Sequence, residues 1–127
     1  MSDYFKLYKT ILSTIQEASP ETGQQLFDAL SHDDFIIQEK SSNQSLVRET
    51  LNALDNLIAD GMVNAKRTPT KSAPIYEIYG LSTAGQKLLT ETKKPSFDEV
   101  LKGYLKENGL PVSPQGISKF VAQLIFR

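Results

Sequence analysis

Apolar side chains recur at helical spacing through most of this chain, and the interruptions mark the elements. Tyr4, Phe5, Leu7, Tyr8, Ile11, Leu12 and Ile15 fall three and four apart, which predicts a helix over 3–17 with one broad apolar arc. Ser19-Pro20 reads as an N-cap followed by proline at the first helical position, and Thr22 with Gln25 fits a capping box. These signals predict a second helix over 20–31 that buries Leu26, Phe27 and Leu30. Within 32–42, Phe35-Ile36-Ile37 fits either a short strand or a helical turn, because three residues carry no decisive period. The third helix, over 43–60, starts at a Ser42 or Asn43 cap. Val47, Leu51, Leu54 and Ile58 form its apolar stripe, flanked by Leu46 and Leu57, and Gly61 stands where a C′ glycine belongs. Its opposite face carries Ser45, Arg48, Glu49, Asn52 and Asn56.

The period then changes to two. Met62–Arg67 and Ile75–Tyr79, the second rich in β-branched and aromatic residues, read as the strands of a hairpin. The two-proline segment Thr68–Pro74 between them is too long for a tight turn. After Gly80, Thr83 with Gln86 offers a capping box for a helix to about Thr92, which Lys93-Lys94-Pro95 ends. Residues 93–127 read as a helical hairpin. Ser96 and Glu99 cap a helix carrying Phe97, Val100, Leu101, Tyr104 and Leu105, and Asn108-Gly109 ends it. Ser113-Pro114 opens the last helix, with Ile117, Phe120, Val121, Leu124 and Ile125 on one arc and Phe126 nearly opposite. The predicted fold class is mainly α with a small antiparallel β-hairpin, α+β.

Composition narrows the chemistry. The chain has 127 residues, 39% apolar and 23% charged, which suits a soluble domain with an ordinary core. It has no cysteine, which removes disulfides, thiolate metal sites and cysteine nucleophiles. Its one histidine, His32, stands in His32-Asp33-Asp34 without a second histidine to support a metal site. No catalytic constellation or glycine-rich phosphate loop is visible, so neither enzyme activity nor a cofactor is expected. No apolar run approaches the ~18–20 residues of a membrane span, and the start lacks a basic-then-apolar signal. The expected location is cytoplasmic. The net charge of −1 hides an asymmetry: residues 1–39 carry two lysines against seven acids, whereas 81–127 carry seven bases against four acids. An acidic head on a mildly basic body permits nucleic-acid contact at one face.

Two stretches carry a family likeness. Leu54-Asp55-Asn56-Leu57-Ile58-Ala59-Asp60-Gly61-Met62-Val63 resembles the end of a recognition helix, with its leucine, spacer, glycine and apolar pair. Tyr79-Gly80-Leu81-Ser82-Thr83-Ala84-Gly85-Gln86-Lys87-Leu88-Leu89 resembles the second wing strand and following helix of MarR-like and PadR-like winged helix-turn-helix regulators. The likeness covers roughly residues 3–92 and extends to small uncharacterised winged-helix proteins of Gram-positive bacteria and their phages. It implies a winged-helix domain over 1–92 with extra C-terminal helices over 93–127, and a transcriptional regulator that binds double-stranded DNA. The family joins its second and recognition helices by about three or four residues. Here roughly ten separate Leu30 from Ser42, so either the second helix is longer and kinked or an insertion separates the pair.

On that likeness, Ser45, Arg48 and Asn52 are candidates for reading base edges, since Arg and Asn pair bidentately with guanine and adenine. Glu49 on the same face opposes phosphate. Lys66, Arg67 and Lys71 put three positive charges within six residues of the wing, where backbone phosphates supply affinity. The plainer alternatives are a solvated helix face and a charged strand edge that deters aggregation. Tyr4, Phe5, Tyr8, Phe97 and Tyr104 are expected in the core; the likeness also allows a small-molecule pocket between the winged domain and its flanking helices. Such regulators often dimerise through their terminal helices, which implies a twofold homodimer built from residues 3–17 and 96–127. The other function class is a winged-helix module that binds protein and no nucleic acid.

Overall fold

The computed structural model describes residues 4–32 and 43–126. Phe35-Ile36-Ile37, Asp33, Asp34 and the Ser42 cap lie outside the described residues. The elements run α1 (Tyr4–Ala18), α2 (Gly23–Leu30), α3 (Asn43–Ala59), β1 (Val63–Thr68), β2 (Ile75–Leu81), α4 (Thr83–Thr92), α5 (Phe97–Glu107) and α6 (Pro114–Phe126). Among the described residues the fold is therefore mainly helical with one two-stranded antiparallel sheet, as the changing period predicts. Among the described residues, no helix is long and apolar enough to cross a membrane.

Helix α1 is the centre of the packing. Phe5, Leu7, Tyr8, Ile11, Leu12 and Ile15 are all buried, and the helix touches α2, α3, α4 and β2. Ser19 ends it with φ 48°, its N–H bonded to the Ile15 carbonyl at 3.1 Å. That left-handed conformation corrects the Ser19 N-cap, because an N-cap needs an extended backbone. Thr22 takes the role instead: its hydroxyl accepts from the Gln25 N–H at 3.1 Å, and the Gln25 side chain accepts from the Glu21 N–H at 2.8 Å. Helix α2 consequently begins at Gly23 rather than at residue 20. It buries Leu26 and Leu30 and leaves Phe27 half-buried.

In α3 the buried face is Thr50, Ala53, Leu54 and Leu57, with Leu51 and Ile58 at its margin and Val47 45% exposed. The predicted stripe was thus rotated. Thr50 enters the core because its hydroxyl donates to the Leu46 carbonyl at 2.7 Å, which removes the cost of burying it. Gly61, at φ 80°, closes the helix while the Met62 N–H bonds the Leu57 carbonyl at 2.9 Å, and the chain turns directly into β1.

The strands pair with Val63 opposite Leu81, Lys66 opposite Glu77 and Arg67 opposite Tyr76, and the register shifts between Asn64 and Ala65. The free edge of β2 is partly covered by the α1–α2 connection: Thr22 bridges Glu77, and the Ile78 N–H bonds the Glu21 carbonyl at 2.8 Å. After β2, Ser82 rather than Thr83 caps α4, accepting from the Gly85 N–H at 3.0 Å and donating to the Gly61 carbonyl at 2.5 Å. The same hydroxyl thus satisfies the end of one helix and the start of another. Gly85 is required there, since a Cβ would run into the Met62 carbonyl.

Helix α5 meets α1 through aromatic rings, and α6 packs in turn on α5. Phe97 stacks on Phe5 at 5.3 Å and meets Phe120 edge-on at 5.7 Å, and Tyr104 lies 5.4 Å from Phe120. Ser96 makes no side-chain cap, because its ψ of 1° lies outside the extended region an N-cap needs. Asp98 and Glu99 in the first turn complement the α5 dipole instead. Val100, expected on the apolar face, is 51% exposed. Ser113 caps α6 as predicted, accepting from the Gly116 N–H at 3.2 Å.

Candidate nucleic-acid interface

Helical geometry puts residues 48, 52 and 55 on one stripe of α3, since spacings of four and seven return to the same side. Arg48 and Asn52 are exposed, and the Asp55 side chain is 36% exposed. Ser45 lies in the first turn of α3, and its side chain is outside the described residues. Glu49 is half-buried. Asn56, expected on the solvent face, donates instead to the Tyr4 hydroxyl at 2.7 Å, because α1 crosses that side of the helix.

The hairpin divides the cations that the sequence groups together. Side chains alternate between the two faces of a strand, so Lys66 and Arg67 project oppositely. Lys66 shares the outer face with its cross-strand neighbour Glu77, and on the same strand as Glu77 stand Ile75, 58% exposed, and Tyr79, 69% exposed. Arg67 points inward toward α3. Its Nε lies 3.2 Å from Asp55 Oδ1 and donates to the Tyr76 hydroxyl at 3.3 Å, and that hydroxyl donates to Asp55 Oδ1 at 2.6 Å. The guanidinium carbon sits 5.9 Å from the Tyr76 ring centre. Carboxylate, guanidinium and phenol thus form a closed cluster between the hairpin and the exposed stripe of α3. The Tyr76 bond, ahead of the Asp55 charge, raises the Arg67 pKa above its ordinary value. Burial, followed by the bond to Asp55, raises that of Tyr76.

Lys71 is exposed in the connecting loop. Thr70 organises that loop: its hydroxyl donates to the Ala73 carbonyl at 2.5 Å and accepts from the Ala73 N–H at 3.1 Å. Of the six candidates, then, Arg48 and Asn52 share a helix stripe with Asp55, Arg67 is bonded to Asp55, Lys71 stands in the loop, Lys66 faces away, and the Ser45 side chain lies outside the described residues. Asp55 and Tyr76 were not singled out from the sequence. The seven-residue step from Arg48 to Asp55 was the available signal.

The helical aromatics pack as core. Phe5, Tyr8 and Phe97 are buried and Tyr4 and Tyr104 are half-buried. A cleft of about 400 Å³ opens between α3 and α6, lined among the described residues by Asn56, Pro114, Gln115, Ser118 and Lys119, none of them aromatic. His32 is exposed, and among the described residues no three His, Cys, Asp or Glu side chains gather as metal ligands. Comparison with known proteins returned no matching family model, no matching curated sequence and no matching solved structure.

Proposed function

We propose that this chain is a winged-helix DNA-binding protein, a transcriptional regulator that contacts duplex DNA through α3 and uses the β1–β2 hairpin as its wing. The observation that carries the reading is the Asp55–Arg67–Tyr76 cluster, which ties the hairpin to the solvent-facing stripe of α3 holding Arg48 and Asn52. Groove-reading and phosphate-binding side chains then share one continuous surface. The order of elements supports the same reading. A single bridge at Thr22 separates α1 from α2 and pairs with β2, and α3 leads straight into the hairpin. In this reading the protein acts in the cytoplasm as a homodimer joined through α1, α5 and α6.

Titration of a random-sequence duplex at low and at moderate salt tests this. Binding that weakens steeply with salt is the expected result. A protein-binding module is favoured by a different observation: the hairpin's outer face exposes Ile75 and Tyr79 beside a Lys66–Glu77 pair of opposite charge. Absence of duplex binding at low salt overturns the DNA reading.

A further inference from the structure

Arg67 does not stand on the hairpin as a free cation. Its Nε edge is held by Asp55 and Tyr76, and neither of its terminal amino groups donates a hydrogen bond to another described residue. The side chain is nonetheless 44% exposed. A guanidinium is a rigid planar fork, so fixing Nε fixes the plane and direction of the other edge. That edge carries two amino groups at the spacing of two phosphate oxygens. Holding a long side chain in one rotamer before binding also removes part of the ordering cost at association.

Asp55 is an unfavourable residue for a DNA-facing helix on charge alone. It lies on the same stripe as Arg48 and Asn52, and a carboxylate there repels phosphate. Its two contacts, to an arginine 12 positions and a tyrosine 21 positions further on, account for its presence.

Resting on the DNA-binding reading, we propose that Asp55 is a positioning residue: it presets the free edge of the Arg67 guanidinium as a bidentate clamp for a duplex phosphate, with Tyr76 bracing the pair. The positioning role and simple charge repulsion predict opposite signs. If Asp55 only repels DNA, neutralising it tightens binding. If it sets Arg67, neutralising it weakens binding, and only while Arg67 is present.

The experiment is a double-mutant cycle on the full chain, with a random-sequence duplex of about two helical turns read by fluorescence anisotropy at low and moderate salt. Asp55→Asn should weaken binding roughly five- to tenfold, within the coupling range of contacting residues. In an Arg67→Ala background the same change should leave affinity unaltered or tighten it slightly. Arg67→Lys, which keeps the charge without the fork, should bind like Arg67→Ala rather than like wild type. Tyr76→Phe keeps the buried ring and removes the brace, so it should fall between wild type and Asp55→Asn. It also serves as the test if Asp55→Asn lowers the thermal midpoint. Tighter binding by Asp55→Asn, wild-type affinity in Arg67→Lys, or an equal Asp55→Asn effect with and without Arg67 overturns the positioning role while duplex binding stands. A wild-type protein that binds no duplex at low salt removes the DNA reading and this proposal together.

Discussion

Tyr8 and Asp60, 52 positions apart, meet inside the molecule: the Tyr8 hydroxyl donates to Asp60 Oδ2 at 3.0 Å. Ser118 donates to the same oxygen at 2.8 Å, so one carboxylate at the end of α3 joins α1, α3 and α6. An acid at a helix C-terminus opposes the macrodipole. Its two donors offset that disadvantage. Tyr8 is fully buried, so removing its acceptor leaves a hydroxyl without a partner. Asp60→Ala should therefore cost about 1–3 kcal/mol, and Tyr8→Phe, which removes the donor and leaves Asp60 with its Ser118 bond, should cost less. Urea unfolding of both variants checks the order; equal costs would place the loss elsewhere than in the orphaned hydroxyl.

The same contact predicts an alkaline limit to stability. Burial, and then the Asp60 charge, pushes the Tyr8 hydroxyl far above its ordinary value of 10.0. In the unfolded chain Tyr8 loses its proton near 10, whereas in the folded protein it keeps it. Between those values the unfolded state binds fewer protons, so stability falls as pH rises, by about 1.4 kcal/mol per pH unit for one such group. Tyr4 and Tyr76 are shifted in the same direction, each chiefly by burial, and add to the slope. Stability measured by urea unfolding should fall above pH 10 in wild type and fall less steeply in Tyr8→Phe. Parallel slopes in the two proteins would show that another group governs the alkaline loss.

Much of this architecture is legible in the sequence because it follows local periods. The α1 arc from Tyr4 to Ile15, the hairpin strands, and Gly61 as the turn from α3 into β1 all depend on neighbours within a few residues. Features that depend on distant partners are not legible in that way. Ser82 displaces Thr83 as the α4 cap because its hydroxyl also reaches the Gly61 carbonyl, 21 positions back. Ser19 cannot cap α2 because the end of α1 already holds it at positive φ. Thr50 reads as polar until its bond to Leu46 is seen. In the candidate interface, the strand period of two already separates Lys66 from Arg67. The role of Asp55 depends on the hairpin folding back onto α3, which no local pattern encodes.

Under the proposed function, the split between the hairpin's cations gives them different expected effects on DNA binding. Lys66, on the outer face beside Glu77, should be replaceable by alanine with about a twofold change at most. Lys71→Ala should weaken binding to all duplexes alike and lower the salt slope by about one, the signature of a lost phosphate contact. Arg48→Ala should change sequence preference, by about 1–3 kcal/mol at one base pair if the contact is bidentate. Affinity measured on a set of single-substituted duplexes distinguishes the three. Uniform weakening by Arg48→Ala would assign it to the backbone and remove it from base reading.

Assembly is the remaining expectation with a direct test. Phe126, at the end of α6, is 59% exposed, and the ring tip lies near Gly61 at the α3–β1 turn. The opposite face of α6 is already filled, with Ile117, Phe120, Val121 and Ile125 buried. An exposed phenylalanine on a helix whose other side is satisfied is suited to a second copy of the chain. Removing α5 and α6 would be a poor test, because Phe97 covers Phe5 and the cut would expose the core. A charge at the exposed ring is the better one. Sedimentation equilibrium at tens of micromolar should give a dimer for wild type and a monomer for Phe126→Glu, with the same thermal midpoint for the protomer's circular dichroism after allowance for protein concentration. A monomeric wild type refutes the homodimer. A Phe126→Glu variant that dimerises as fully as wild type moves the interface off this end of α6, leaving the exposed α5 surface around Val100 as the face to mutate next.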